Sequence, residues 1–183
     1  MSPCLPKVCR NIINRSYMHG CLWLNDPDVH LARADHNALT ENEVRLWTAA
    51  LWLVGGLTLL SDRFATLAPE REKWSRWLVA ERDGWHTRPL DFFEREFPAV
   101  WLGRRKDQAP SDPACVLGLF NFADSATTLQ VPLAQAGFAP GAAVDLHDVW
   151  TDRFHSRAAG TLALEVPVHS CTLLRLSPAA GAL

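Results

Sequence analysis

The sequence has no block of like charge, no metal-type pairing of its cysteines, and no apolar run long enough to cross a bilayer. Each absence removes a class of function. The formal net charge is only −2, and without clustered charge neither a nucleic-acid surface nor an anionic-membrane patch is encoded. Five scattered cysteines include Cys4 and Cys9, but no second pair or nearby histidine completes a zinc set. No metal and no other cofactor is expected. The longest apolar stretch, Ala49 to Leu60, is interrupted by Gly55-Gly56 and is too short for a membrane span. Met1 to Pro6 has no hydrophobic signal core, and an odd cysteine count fits a reducing compartment. A cytoplasmic protein with no nucleic-acid or membrane partner is expected. One further absence bears on chemistry: no Asp or Glu precedes Asp26.

What is present is the mixture of a soluble globular protein, 48% hydrophobic and 21% charged. A length of 183 residues fits one ordinary domain or two small ones. The chain changes character near residue 84. Before it, helix and strand alternate. Asn11 to Met18 reads as the tail of a helix and Gly20 to Leu24 as a short buried strand. Thr40 and Glu43 have capping-box spacing, and Val44, Leu46, Trp47, Ala50, Leu51 and Leu53 then form one broad helical face. Gly55-Gly56 stops that helix. Leu57 to Leu60 reads as a strand buried on both faces, and Pro69 opens a last helix carrying Trp74, Trp77 and Leu78. After a linker at 85–96, short runs rich in Val, Leu, Phe and Thr lie between turn-formers. They cover 98–102, 115–122, 127–133, 143–150, 161–166 and 170–176. This is the pattern of an antiparallel sandwich over residues 97–178.

The chemistry centres on Trp23-Leu24-Asn25-Asp26-Pro27-Asp28. If extended, Asp26 and Asp28 point to one side, roughly 7 Å apart. A glycosidase pair must instead flank its sugar from opposite faces, so these two are poor partners as acid and base. Alone, Asp-Pro-Asp is an ordinary turn with carboxylates capping backbone N–H groups. The ordered context adds to it: Arg33, the capped helix, and a second strand ending in Ser61-Asp62. Carboxylates at C-terminal strand ends are where (β/α) barrels place their sites. Asp62 equally reads as the cap of a following turn.

Leu22 to Asp28, Arg33, Leu39-Thr40, Glu43, Gly55-Gly56, Leu60-Ser61-Asp62, Leu67 and Glu70-Arg71 together resemble the bacterial α-galactosidases (melibiases) of glycoside hydrolase clan D. The likeness is strongest to family 36, with family 27 its relative. Val149-Trp150, Val166 to Ser170 and Leu173 to Leu176 resemble the end of that clan's sandwich. The resemblance implies an α/β plus all-β chain. Residues 1–84 would be the last two βα units of a (β/α)8 TIM barrel, followed by an antiparallel β-sandwich. It implies a retaining hydrolase releasing terminal α-linked galactose. Asp28 would be the substrate-binding residue at the pocket rim, with Asn25 and Asp26 shaping its loop. The family's nucleophile and acid/base lie upstream of this motif, so no catalytic residue is assigned within the chain. A C-terminal fragment, inactive alone, is the expectation.

Three other outcomes stay open. A second polypeptide supplying the rest of the barrel would restore activity on α-galactosides. A non-catalytic sugar-binding module would use Trp101 and Trp150 of the sandwich as stacking platforms. A histidine-based activity would draw on His19, His147 or His169.

Overall fold

In the computed structural model, which describes residues 4–81 and 83–179, the chain divides after Asp83 into two parts built on different periodicities. The first is helical in pattern. Helix α1 (Cys4–Asn14) buries Leu5, Cys9 and Ile13, a stripe at four-residue spacing. Strand β1 (Val29–His30), helix α2 (Glu41–Val54), strand β2 (Leu59–Leu60) and helix α3 (Pro69–Glu81) follow. The two strands pair in parallel, Val29 with Leu59 and His30 with Leu60, so α2 is the crossover that a parallel pair requires. Its start is the expected capping box: Thr40 Oγ1 accepts from Glu43 N–H, and Glu43 accepts from Thr40 N–H at 2.8 Å. Beyond the first turn α2 is buried on nearly every side rather than on one face, with Arg45 the exception.

Two segments expected as strands fold differently. Gly20 to Leu24 is not a buried strand but a run of turns, with Leu22 67% and Leu24 78% exposed. The amides of Cys21 and Leu22 both turn back to Met18 O, and Gly20 N–H bonds Trp23 O at 2.8 Å. Local bonds thus engage the groups that a ladder would need. Leu57 to Leu60 shortens to two paired residues, and Leu57 and Leu59 are exposed. Among the described residues β2 has one neighbour, itself two residues long.

His30 is the polar centre of this part. It is fully buried, with Nε2 2.8 Å from Thr48 Oγ1 and Nδ1 3.3 Å from Ser75 Oγ. Thr48 donates its hydroxyl proton to Val44 O at 2.7 Å, so it accepts from Nε2–H, and Nδ1 accepts from Ser75. Burial pushes the imidazole down to about 4, against a smaller opposing pull from Asp62. The unfolded chain protonates this ring near 6.5, while the folded one keeps it neutral until near 4. Stability is therefore fully present above the higher value and is lost as pH falls towards the lower, by about 3 kcal/mol. Urea midpoints at pH 7 and pH 4.5 measure this. The drop is expected to shrink in His30→Asn; an equal drop in both proteins would assign the loss to other groups.

The second part is an antiparallel β-sandwich. Its strands are β3 (Trp85–Pro89), β4 (Val100–Arg105), β5 (Cys115–Asn121), β6 (Thr127–Pro132), β7 (Ala143–Asp148), β8 (Arg153–Ala159), β9 (Thr161–Val166) and β10 (Ser170–Pro178). One sheet has the order β3-β4-β5-β10-β7-β8 and the other is β6-β9. Leu102, Leu117, Leu119, Val144, Leu146, Leu174 and Leu176 face Leu129, Val131, Leu162 and Val166 in one core. Alternation along β6 buries Leu129 and Val131 and exposes Thr128 and Gln130, the pattern of a strand with one wet face. Residues 85–96 are not a linker. They begin with β3, paired to β4, and the buried Asp91 carboxylate then accepts from Ala99 and Val100 N–H at 3.0 and 3.1 Å. Asn121 closes the other end of the sandwich. Its side-chain amide donates towards Ser125 O, Val166 O and Pro167 O at 2.7, 3.0 and 3.1 Å, and its oxygen accepts from Ala123 N–H at 2.9 Å.

Candidate functional site

The Asn25–Asp28 loop leads into β1 rather than ending a strand, which reverses the expected order. It is held by bonds that belong to the loop itself or to the segment just before it. Asn25 N–H donates to His19 Nδ1 at 3.1 Å, its amide donates to Arg15 O at 3.1 Å, and its Oδ1 accepts from Trp23 Nε1 at 2.8 Å. From the far side Leu57 N–H reaches Asn25 O at 3.0 Å. Asp26 Oδ1 accepts from Asp28 N–H at 3.0 Å, and Asp28 Oδ1 accepts from Val29 N–H at 2.8 Å. Asp28 sits at φ 82°, a left-handed conformation that Asp tolerates better than most residues. The two aspartates are thus not ranged along one side of an extended strand.

Each carboxylate has one oxygen engaged by a backbone amide, which leaves the other to accept from a ligand. Both side chains are exposed, and both line a cavity of about 580 Å³ with Asn11, Arg15, Trp23 and Asn25. Trp23 is 51% exposed, with its indole N–H fixed by Asn25. An oriented aromatic face beside carboxylates and a guanidinium is the equipment of a polyol site: apolar contact for C–H groups, acceptors and donors for hydroxyls. Asn11 and Arg15 were not legible as site residues, because the approach of α1 to this loop is a tertiary contact.

The other carboxylate proposed from sequence does different work. The Asp62 side chain is 1% exposed and accepts from Ala32 N–H at 2.5 Å and Arg33 N–H at 3.3 Å. Arg33 lies 3.7 Å from it and donates to Ser61 O at 3.1 Å. Asp62 therefore locks together the loops that follow β1 and β2, and it does not share a cavity with Asp28. The histidines remain apart from one another. His19 holds Asn25, His147 meets Phe154 edge-on at 5.6 Å, and His169 Nε2 lies 2.6 Å from Asp124 Oδ1. Trp101, a candidate stacking platform, is buried and donates its N–H to Pro98 O. Among the described residues no group of three His, Cys, Asp or Glu side chains is arranged to hold a metal.

Residues 98–176 match the family described as the alpha galactosidase C-terminal beta sandwich domain. Solved structures match over almost the whole chain. Alpha-galactosidase I from Mortierella vinacea aligns over 96% of the chain and 45% of its own, at TM-score 0.69 and 13% identity. A family 27 β-L-arabinopyranosidase from Geobacillus stearothermophilus aligns over 97% and 43%, at 0.65 and 14%. The α-galactosidase of Saccharomyces cerevisiae aligns over 96% and 51%, at 0.65 and 12%. At these identities the likeness is one of fold, and the chain spans about half the length of the structures it matches. Residues 98–176 are thus similar to an alpha galactosidase C-terminal beta sandwich domain, and the sandwich fold of the second part agrees with that match.

Proposed function

We propose that the chain is the C-terminal portion of an α-galactosidase-type glycoside hydrolase of clan D, of the family 36 kind. In this reading β1, α2, β2 and α3 are the last two βα units of a (β/α)8 barrel, and Asn25–Asp28 forms part of the wall of its galactose pocket. The observation that carries it is the cavity uniting Asp28, Asp26 and the oriented face of Trp23. The free oxygen of Asp28 accepts from sugar hydroxyls, and Trp23 covers the C–H face of the ring. Asp28 binds and orients. The nucleophile and the acid/base of the retaining double displacement come from barrel units outside these 183 residues.

Those units are the partner that this reading requires, either linked to the chain or on a second polypeptide. A two-stranded parallel sheet flanked by the exposed Leu22, Leu24, Leu57 and Leu59 supports such docking, since parallel sheets are otherwise covered on both faces. The test pairs the chain with the preceding six βα units and follows nitrophenyl α-galactoside hydrolysis. Activity is expected only from the pair. Asp28→Asn is expected to lower kcat/KM about tenfold to a hundredfold, the effect of losing one charged hydrogen bond. An unchanged value would remove Asp28 from the pocket. The nitrophenyl β-L-arabinopyranoside, which lacks the hydroxymethyl group of galactose, run alongside separates the two specificities carried by the matched structures.

A further inference from the structure

A second cavity, of about 720 Å³, opens beyond the C-terminal ends of β1 and β2. Its walls are the loop after β1, the loop after β2 and the start of α3. In parallel α/β sheets this is the end at which ligands bind. Its charged lining is Arg33, Arg63, Arg71, Asp35 and Glu70, with His36 beside them. Two of the arginines are fixed by backbone carbonyls across the loops. Arg33 Nη1 donates to Ser61 O at 3.1 Å, and Arg71 Nη1 donates to Ala32 O at 2.8 Å. Arg71 also lies over the Trp74 ring, 5.6 Å from its centroid. A guanidinium has five N–H donors in a rigid fork, so each keeps donors to offer while its position is set. Arg33 Nε is out of solvent and has no hydrogen-bond partner among the described residues. Arg63, Asp35 and Glu70 are exposed on the lining, and their side chains make no hydrogen bond or ion pair with the described residues.

The two signs together narrow the ligand. Three guanidiniums suit a phosphate or carboxylate group, which they bind with forked geometry. Asp35 and Glu70 would repel a bare small anion, yet they are the acceptors that a hydroxyl-bearing body needs. We propose that this cavity binds an anionic monosaccharide, its charged group on Arg33, Arg63 and Arg71 and its hydroxyls on Asp35 and Glu70. The volume admits such a ligand, within the range usual for small-molecule sites. This cavity shares no lining residue with the Asp28 cavity.

Titration calorimetry on the full 183-residue chain tests it with galactose 6-phosphate, galacturonate, galactose and inorganic phosphate. At least one of the two anionic sugars is expected to bind more tightly than both galactose and phosphate. Which of them does so assigns the charged group as phosphate ester or carboxylate. Arg63→Gln, a change at an exposed side chain without structural partners, is expected to weaken that binding about tenfold or more. Asp35→Asn is expected to weaken it while leaving phosphate binding no weaker. Melting curves matching the parent's show that the variants are folded. No binding of either anionic sugar at millimolar concentration, affinity unaltered by Arg63→Gln, or phosphate binding as tightly as the sugars would each overturn the assignment.

Discussion

Gly56→Ala is expected to cost about 3 kcal/mol or more and to dislodge the Asn25–Asp28 loop. A Cβ at Gly56 would lie 2.3 Å from Asn25 O and 3.1 Å from Asn25 C, both backbone atoms that no rotamer change can move. Gly56 also has φ 106°, where an L side chain is strained whatever the space. Left-handed strain and overpacking each contribute on the order of 1–3 kcal/mol, and here both act on one atom. The effect should be specific in kind. Leu57 N–H bonds Asn25 O, so whatever moves Asn25 also loosens the entry to β2. Gly55→Ala is the milder comparison: it shares the positive φ, at 64°, but its Cβ would meet the His19 ring at 3.2 Å rather than backbone. Urea unfolding should rank the two, with Gly56→Ala the larger loss. In the paired enzyme Gly56→Ala should also raise KM for the galactoside. Equal stability of the two variants would mean that the loop yields more easily than its bonds imply.

Asn121→Leu is expected to destabilise the sandwich by about 2–4 kcal/mol, the range for breaking a buried polar network. The size of the side chain is nearly kept, so little of this would be cavity. What is lost is the amide serving Ser125 O, Val166 O and Pro167 O, together with the acceptor for Ala123 N–H. Those carbonyls lie at the end of β9 and in the turns that follow β5 and β9. Asn121→Asp should be worse near neutral pH, because a carboxylate would then face carbonyl oxygens with no proton to share. Urea unfolding at pH 7 checks both. A loss below about 1 kcal/mol for Asn121→Leu would show that water serves these groups equally well.

How far the sequence could be read followed how local each cause was. The Thr40–Glu43 box needs three residues of spacing, and it stands in the structure as its sequence implies. The alternation in β6 is likewise local. Leu22, Trp23 and Leu24 misled because an apolar run is silent on whether its amides bond across a sheet or back to Met18 O. β3 and β8 were missed for the opposite reason. His86, Arg88 and Pro89, or Arg153, His155 and Arg157, do not resemble strand sequence, and these segments are strands because β4 and β7 offer them an edge. At the site, the Asp-Pro turn chemistry of Asp26 and Asp28 was visible in six residues. That Arg15 joins them was not, and neither was the burial of Asp62 as a lock between loops. Nothing in the spacing marked His30, whose two hydroxyl partners come from α2 and α3.

The order of strands in the larger sheet has a consequence for how the protein is made. β10 is the last strand among the described residues, yet it lies between β5 and β7, pairing with β5 over Ser170–Leu176 and with β7 over Leu174–Pro178. As a chain emerges from the ribosome, β3-β4-β5 and β7-β8 can each assemble, but they remain two pieces with facing open edges. Only the arrival of Ser170–Pro178 joins them. The sheet is therefore closed in one late, long-range step rather than strand by strand, a topology that folds slowly. Until that step, unpaired edges are available to neighbouring nascent chains.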